Sequence, residues 1–157
     1  GQIKKKIQAR TKTKLVISKE GDVIVSAEES MNIFIALPII KAIGRGFNPD
    51  IALTLSLEEY TLEIIGLNEY TNKSKKKSVR LKSRLIGTEG KARVQIEKMT
   101  NTHMVIYGKT VGIIGKVDDV QIAKTAVIKL LQGAPHGNAY KYIDNQMKKR
   151  LEEEFMD

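Results

Sequence analysis

The sequence predicts an α+β chain made of two copies of one unit. The unit runs strand, helix, helix, strand, strand, helix, and the first copy lacks its N-terminal part. Three observations carry this. Displacing the 157-residue chain by 89 positions sets Gly1 on Gly90, Ile7 on Ile96, Thr11 on Thr100, Thr13 on Thr102, Val16 on Val105, Ile17 on Ile106 and Ile24 on Ile113. A displacement of 88 then aligns Ile39, Ile40 and Lys41 with Val127, Ile128 and Lys129, the slip a loop insertion gives. Short β-rich runs also alternate with apolar residues at helical spacing, and a Gly-x-x-Gly stretch, Gly87 to Gly90, separates two helices.

In the first copy we expect a helix over 2–10, a strand over 14–18, a turn at Gly21, a strand over 22–26 and a helix over 28–44. Pro38 has no N–H, and its ring crowds the preceding turn, which predicts a kink or a late start near residue 38. In "FNPDIALTLSLEEY", Asn48 caps, Pro49 takes the first helical position and Asp50 sits in the first turn, giving a linker helix over 48–58. Everything that precedes Gly1 in the repeat, a strand, a helix and most of a loop, is absent from this copy. The chain has no initiator Met, as a fragment or a processed product would.

The second copy opens with a strand over 60–67, "YTLEIIGL". Residues 71–78, "TNKSKKKS", hold no apolar residue and read as an exposed loop. A short helix follows from Val79 to Ile86, and a second over 91–100 sets Ala92, Ile96 and Met99 on one face. Strands 103–107 and 111–115 flank a turn at Gly108–Thr110. Asp118 or Asp119 caps a helix that runs to Gln132 and stops at Gly133. A last helix, 138–155, spaces Tyr142, Met147 or Arg150, and Leu151 along one face. Tyr107, Tyr140 and Tyr142 read as packing residues. The domains are set at 1–58 and 59–157.

The net charge of +9 is concentrated. Residues 1–20 carry seven Lys/Arg against one Glu, and residues 67–98 carry ten against three Glu. Two basic blocks of this kind point to nucleic acid, because each cation that neutralises a phosphate releases counterions. The longest apolar run, Ile33 to Ile40, has eight residues, far short of the roughly 18 a membrane span needs, so no membrane partner is expected. The absence of cysteine removes disulfides, thiolate ligands and a thiol nucleophile, and favours the cytoplasm. His103 and His136 have no carboxylates at ligand spacing, so neither metal nor cofactor is expected. No Ser/His/Asp set, paired carboxylates or P-loop is present, so no catalytic residue is named and the chain reads as a non-enzyme.

The loop between the helices carries the chemistry. Gly87 and Gly90 lack Cβ atoms, so a sugar–phosphate backbone can lie against the main chain. The helix starting at Lys91 offers unpaired N–H groups and a positive dipole end. Arg84, Lys91 and Arg93 flank that path with charge. The strand that holds Met104 lines an apolar groove for unstacked bases. Ile86, Thr88, Glu89 and Ala92 complete the contact set, with Gly1, Lys4 and Lys5 at the matching place in the first copy. Glu89 either faces solvent and is tolerated, or marks a loop of weakened grip. Lys73–Lys77 is either a solvated loop or a flexible phosphate-contacting arm. Replacing Gly87 and Gly90 together by Asp is expected to weaken RNA binding with the fold intact.

"IGTEGKARVQIEKMTNTHMVI" resembles the core of a type I K-homology (KH) domain. More narrowly, the chain resembles the two-KH pre-ribosomal RNA processing proteins of archaea and eukaryotes, the partner-of-Nob or dimethylase-partner family. The resemblance covers nearly the whole chain: "AIGRGFNPDIALTL" and "YTLEII" between the domains, "YGKTVGIIG" in the hairpin, and "GAPHGNAYKYID" after the penultimate helix. Arg93 stands where generic KH domains hold an apolar residue, as it does in this family. The resemblance implies tandem type I KH domains (βααββα), each an antiparallel three-stranded sheet packed on helices, the first truncated. It implies binding of single-stranded RNA near the 3′ end of small-subunit rRNA during maturation. The partners it implies are the endonuclease that trims that end and a translation initiation factor subunit. Thr88–Glu89 departs from the basic residues that archaeal members tend to hold inside the loop. A second reading follows from that departure: a protein-interaction scaffold, weak in RNA binding, that docks a nuclease or initiation factor through the linker helix and the C-terminal helix.

Overall fold

The computed structural model describes residues 1–156. The first unit opens with α1 (Gln2–Thr11), followed by the antiparallel pair β1 (Lys14–Ile17) and β2 (Val23–Ser26), α2 (Ser30–Gly44), α3 (Pro49–Ala52) and a 3-10 turn, Leu53–Ser56. The second unit runs β3 (Tyr60–Gly66), α4 (Asn68–Thr71), α5 (Lys75–Ile86), α6 (Lys91–Thr100), β4 (His103–Tyr107), β5 (Thr110–Lys116), α7 (Val117–Leu131) and α8 (His136–Met156). Its strands form one antiparallel sheet in the order β3–β5–β4.

The repeat reappears as hydrogen bonds. Thr11 Oγ1 donates to the Ile7 carbonyl and lies 2.7 Å from Thr13 Oγ1. Thr100 Oγ1 donates to the Ile96 carbonyl and lies 2.8 Å from Thr102 Oγ1. These buried threonines close the turn from helix into strand, where an unpaired hydroxyl would be costly. The one-residue slip falls earlier than the identities suggest. Leu15 pairs with Val25, and Met104, 89 positions on from Leu15, pairs with Ile113, 88 positions on from Val25. The insertion therefore lies in the β1–β2 turn, and Ile24 matches Gly112 rather than Ile113.

Alternation along β5 divides the interior. Val111 and Ile113 enter one core with Leu85, Ile96, Met104, Val127 and Ile143, between the sheet and helices α5–α8. Ile114 faces the opposite side and joins Ile7, Leu15, Ile39, Phe47 and Leu53 of the first unit. The second sheet is thus covered on both faces, and the linker segment provides one cover.

Several expectations are corrected. The stretch 71–78 is not a loop: α4 ends at Thr71 and α5 begins at Lys75, four residues before Val79, because Ser74 Oγ accepts the Lys77 N–H. Lys75–Lys77 therefore form the first turn of a helix whose later turns bury Leu85. Pro38 neither ends α2 nor delays it; the helix starts at Ser30. The carbonyl that Pro38 leaves unpaired belongs to Phe34, an exposed residue where water can satisfy it. Lys116, not Asp118 or Asp119, is the cap of α7, and both acids lie in its first turn. The expected linker helix is one α-turn and one 3-10 turn. Leu151 lies exposed on α8 instead of on its packed face.

Candidate nucleic-acid interface

Helix α5 ends where Gly87 turns to φ 76° and donates its N–H to the Ser83 carbonyl at 2.8 Å. A Cβ at residue 87 would stand 2.6 Å from the Ala92 Cβ and 2.7 Å from the Ala92 nitrogen. Gly87 is thus required by close approach as well as by its backbone angle. Glu89, with φ 57°, and Gly90, with φ 75°, continue the left-handed turn, but a Cβ at residue 90 would meet nothing within 4 Å. The loop stands clear of the body and ends on α6, whose first turn has no side-chain cap. The Lys91 N–H is donated to the Thr88 carbonyl within the loop, and no side chain caps the N–H groups that follow, which an anion can approach.

Around this loop the cations are less free than the sequence suggests. Lys91 Nζ lies 4.0 Å from Glu89 Oε2, both side chains largely exposed. Arg93 Nη1 donates to Glu97 Oε1 at 2.6 Å, and Glu97 Oε2 accepts the Met104 N–H at 2.9 Å. Arg84 is half-buried: its Nη2 donates to the Ala134 carbonyl, and its own carbonyl meets His136 Nε2 at 2.8 Å. Arg84 and His136 thereby tie the end of α5 to the turn before α8.

Of the other candidate residues, Ile86 and Thr88 are exposed beside the loop. Ala92 and Met104 are buried in the packing beneath it, at 5% and 2% exposure, so any contact with a ligand runs through their main chain. Gly1 precedes α1 without a cap, with Lys4 half-buried and Lys5 exposed on the first turn, as Gly90, Arg93 and Val94 are placed on α6. A shallow cavity of about 420 Å³ opens between α6 and β4, lined by Val94, Glu97, Lys98, Asn101, Thr102 and His103.

Sequence reasoning passed over Glu97, although a signal existed. Gln8 occupies the same place in the first copy, and its Oε1 accepts the Leu15 N–H at 2.9 Å. A polar acceptor seven residues before each strand's second residue is a repeated device that sets helix against strand. Arg45 was also passed over: its guanidinium donates to Thr110 Oγ1 and the Tyr107 carbonyl, and lies 5.0 Å from the Tyr107 ring centroid, latching the linker to the β4–β5 turn. Among the described residues no cluster of His, Asp or Glu is disposed to hold a metal, and no helix is long and apolar enough to cross a membrane.

Residues 61–148 match the family described as Eukaryotic type KH-domain (KH-domain type I), in the form of the second KH domain of PNO1. A KH domain-containing protein of Methanocaldococcus jannaschii is 42% identical over 153 residues, which span 95% of this chain and 67% of that protein. The pre-rRNA-processing protein PNO1 of Coccidioides immitis is 28% identical, over 71% of this chain and 46% of its own length. The crystal structure of the a/eIF2alpha–aDim2p–rRNA complex from Pyrococcus horikoshii superimposes with a TM-score of 0.84 at 40% identity, covering 95% of this chain and 84% of that one. The chain thus spans two thirds of one curated relative and about half of the other.

Proposed function

The chain belongs to the PNO1 family of type I KH-domain proteins, and we infer that it is an assembly factor that holds single-stranded RNA near the 3′ end of small-subunit rRNA while that end matures. The observation that carries this is the Gly87–Gly90 loop: a backbone pressed onto Ala92, raised clear of the body, and opening onto an uncapped helix N-terminus. Such a loop receives a phosphodiester without needing a base sequence, while the neighbouring groove against β4 receives unstacked bases. The relatives' names, pre-rRNA processing in one case and a complex with rRNA in another, support the same ligand. The protein acts by binding rather than by catalysis, and its place of work is the cytoplasm.

A protein partner is part of this reading. The Pyrococcus horikoshii relative was captured with both rRNA and a/eIF2alpha, so an initiation-factor subunit is proposed here too. The trimming endonuclease is proposed on the family resemblance alone. The scaffold alternative gains one observation, the pairing of Lys91 and Arg93 with acids at the loop.

Titration with single-stranded RNA of the small-subunit 3′ end tests the reading. Binding should exceed that of a duplex of the same sequence and fall steeply with salt. Equal binding of duplex and single strand, or none of either beside tight capture of the initiation-factor subunit, would favour the scaffold.

A further inference from the structure

We propose that the free edge of β3, with the wall of α2 beside it, is a docking site for an extended segment of a protein partner, one that alternates apolar residues and carries an acid. The site does not rest on the RNA clamp: β3 and β4 are the two outer strands of the sheet, and the RNA groove lies against β4. Two hydrogen bonds fix which groups of β3 are free. Val117 N–H donates to the Glu59 carbonyl at 3.1 Å, and Leu67 N–H to the Lys109 carbonyl at 2.8 Å, each continuing the β3–β5 register by one residue. Bonded and unbonded residues alternate in an antiparallel pair. Thr61, Glu63 and Ile65 therefore bond to β5, while Leu62, Ile64 and Gly66 turn their N–H and C=O outward. Among the described residues no strand lies beyond them. Natural sheets blunt such an edge with Pro, Lys or a bulge. The seven residues of β3 include no Pro or Lys, and their pairing is unbroken. Their one charge, Glu63, is paired with Lys124 Nζ of α7 at 3.3 Å.

The wall beside this edge identifies the occupant. A groove of about 540 Å³ runs along β3, and its lining includes Phe34, Leu37, Lys41, Leu55, Leu62 and Ile64. Phe34, Leu37 and Lys41 fall at i, i+3 and i+7, one face of α2. Phe34 and Leu37 belong to the longest apolar run of the chain, Ile33 to Ile40, whose buried side is Ala36 and Ile39. They are 68% and 46% exposed. A strand added to β3 would set every second side chain over this face, beside Leu62 and Ile64, and gain main-chain hydrogen bonds from the edge. Among the described residues Lys41 has no carboxylate at ion-pair distance. The groove thus keeps one uncompensated positive charge, which Asp or Glu at one end of the apolar row would complement. A second copy of this chain lacks that complementarity, since it brings a net charge of +9 and another Lys41.

Panning a displayed library of random peptides, long enough to span β3, on the full chain tests this. The enriched sequences should place apolar residues at every second position and Asp or Glu at one end. When such a peptide is synthesised and bound, hydrogen exchange should slow at the amides of Leu62, Ile64 and Gly66. G66P removes one outward N–H at a position with open space around it, and should lower peptide affinity at least ten-fold. F34A and K41E alter exposed side chains and should do the same without moving the unfolding midpoint. K41E should regain affinity for the same peptide with its acid changed to Lys, which a damaged fold would not allow. The site is overturned if no peptide is enriched, if the enriched ones lack the period of two, or if the three amides exchange as before. Displacement of the peptide by single-stranded RNA would overturn it too, by making the edge part of the RNA interface. So would a dimer in sedimentation that F34A dissolves, because a second copy would then hold the edge.

Discussion

The ring of Phe47 rests on Gly112 of β5, so close that a Cβ at residue 112 would stand 2.6 Å from Phe47 Cε2. This contact joins the two units. Phe47 is buried beside Ala52 and Leu53 of the linker, and Gly112 leaves the dent in the sheet that receives it. G112A should therefore destabilise by about 1–3 kcal/mol through overpacking, and F47A by about 3–5 kcal/mol through the cavity it leaves. Because removing the ring also removes the clash, the double variant should cost clearly less than the two together. Urea unfolding of the four proteins measures this; strict additivity would mean that Phe47 is not what excludes a side chain at residue 112.

Glu89 and Lys91 lie 4.0 Å apart on an exposed loop, where an ion pair contributes little to folding. Their effect should appear in binding. E89Q removes an acid from the phosphate path and releases Lys91, so RNA affinity should rise several-fold at low salt. The salt slope should steepen by about 0.7, and the unfolding midpoint should stay in place. Titration at several salt concentrations reads this; an unchanged affinity would show that Glu89 faces away from the RNA.

The two glycines of the loop call for different probes, which revises the expectation that Asp at both leaves the fold intact. Gly87 has Ala92 backbone within 2.7 Å of where its Cβ would lie, so even G87A should destabilise by about 2–3 kcal/mol. Gly90 has open space around it, and its left-handed conformation is one that Asp tolerates at about 1 kcal/mol. G90D should thus reduce RNA affinity at least ten-fold while the circular dichroism spectrum is retained. Parent-like binding by folded G90D would remove the loop from the interface.

Much of this was legible from residues whose local rules agree. The 89-residue repeat, the strands at 60–66 and 103–107 and helix α6 follow from the spacing and β-rich or helical character of their apolar residues, which enter the two cores. Where the sequence misled, a tertiary or side-chain effect intervened. The lysine run around 75–77 looks like a loop when judged by apolar content, but the Ser74 cap and the long helix beyond it carry three lysines along. Pro38 looks like a breaker, yet its cost falls on a carbonyl that solvent can reach. The ligand side of the site was legible as a Gly-x-x-Gly spacing. Glu89 was legible with it, whereas Glu97 was passed over, because its role joins Arg93 on the helix to the Met104 N–H on the strand and needs both elements in place.

Arg150 of α8 donates to Asp119 in the first turn of α7, and Asp119 is only 6% exposed. An acid there complements the helix dipole, but its burial makes it depend on a partner. The hydrogen bond from Arg150 to Asp119, stronger than the opposing effect of burial, raises the guanidinium further above its ordinary value. A folded pKa above the unfolded one gives stability that is complete below the unfolded value and lost only as pH rises through the folded one. For an arginine that window lies in strong alkali. R150M should therefore cost about 2–4 kcal/mol by leaving the Asp119 carboxylate buried without its partner, and the deficit should be flat from neutral to moderately alkaline pH. Replacing both residues by apolar ones, as D119L/R150M, should recover most of the loss, because no unpaired charge remains. Denaturant melts across that pH range decide the matter: no recovery in the double variant would mean that Arg150 stabilises α8 through its aliphatic packing rather than through its charge.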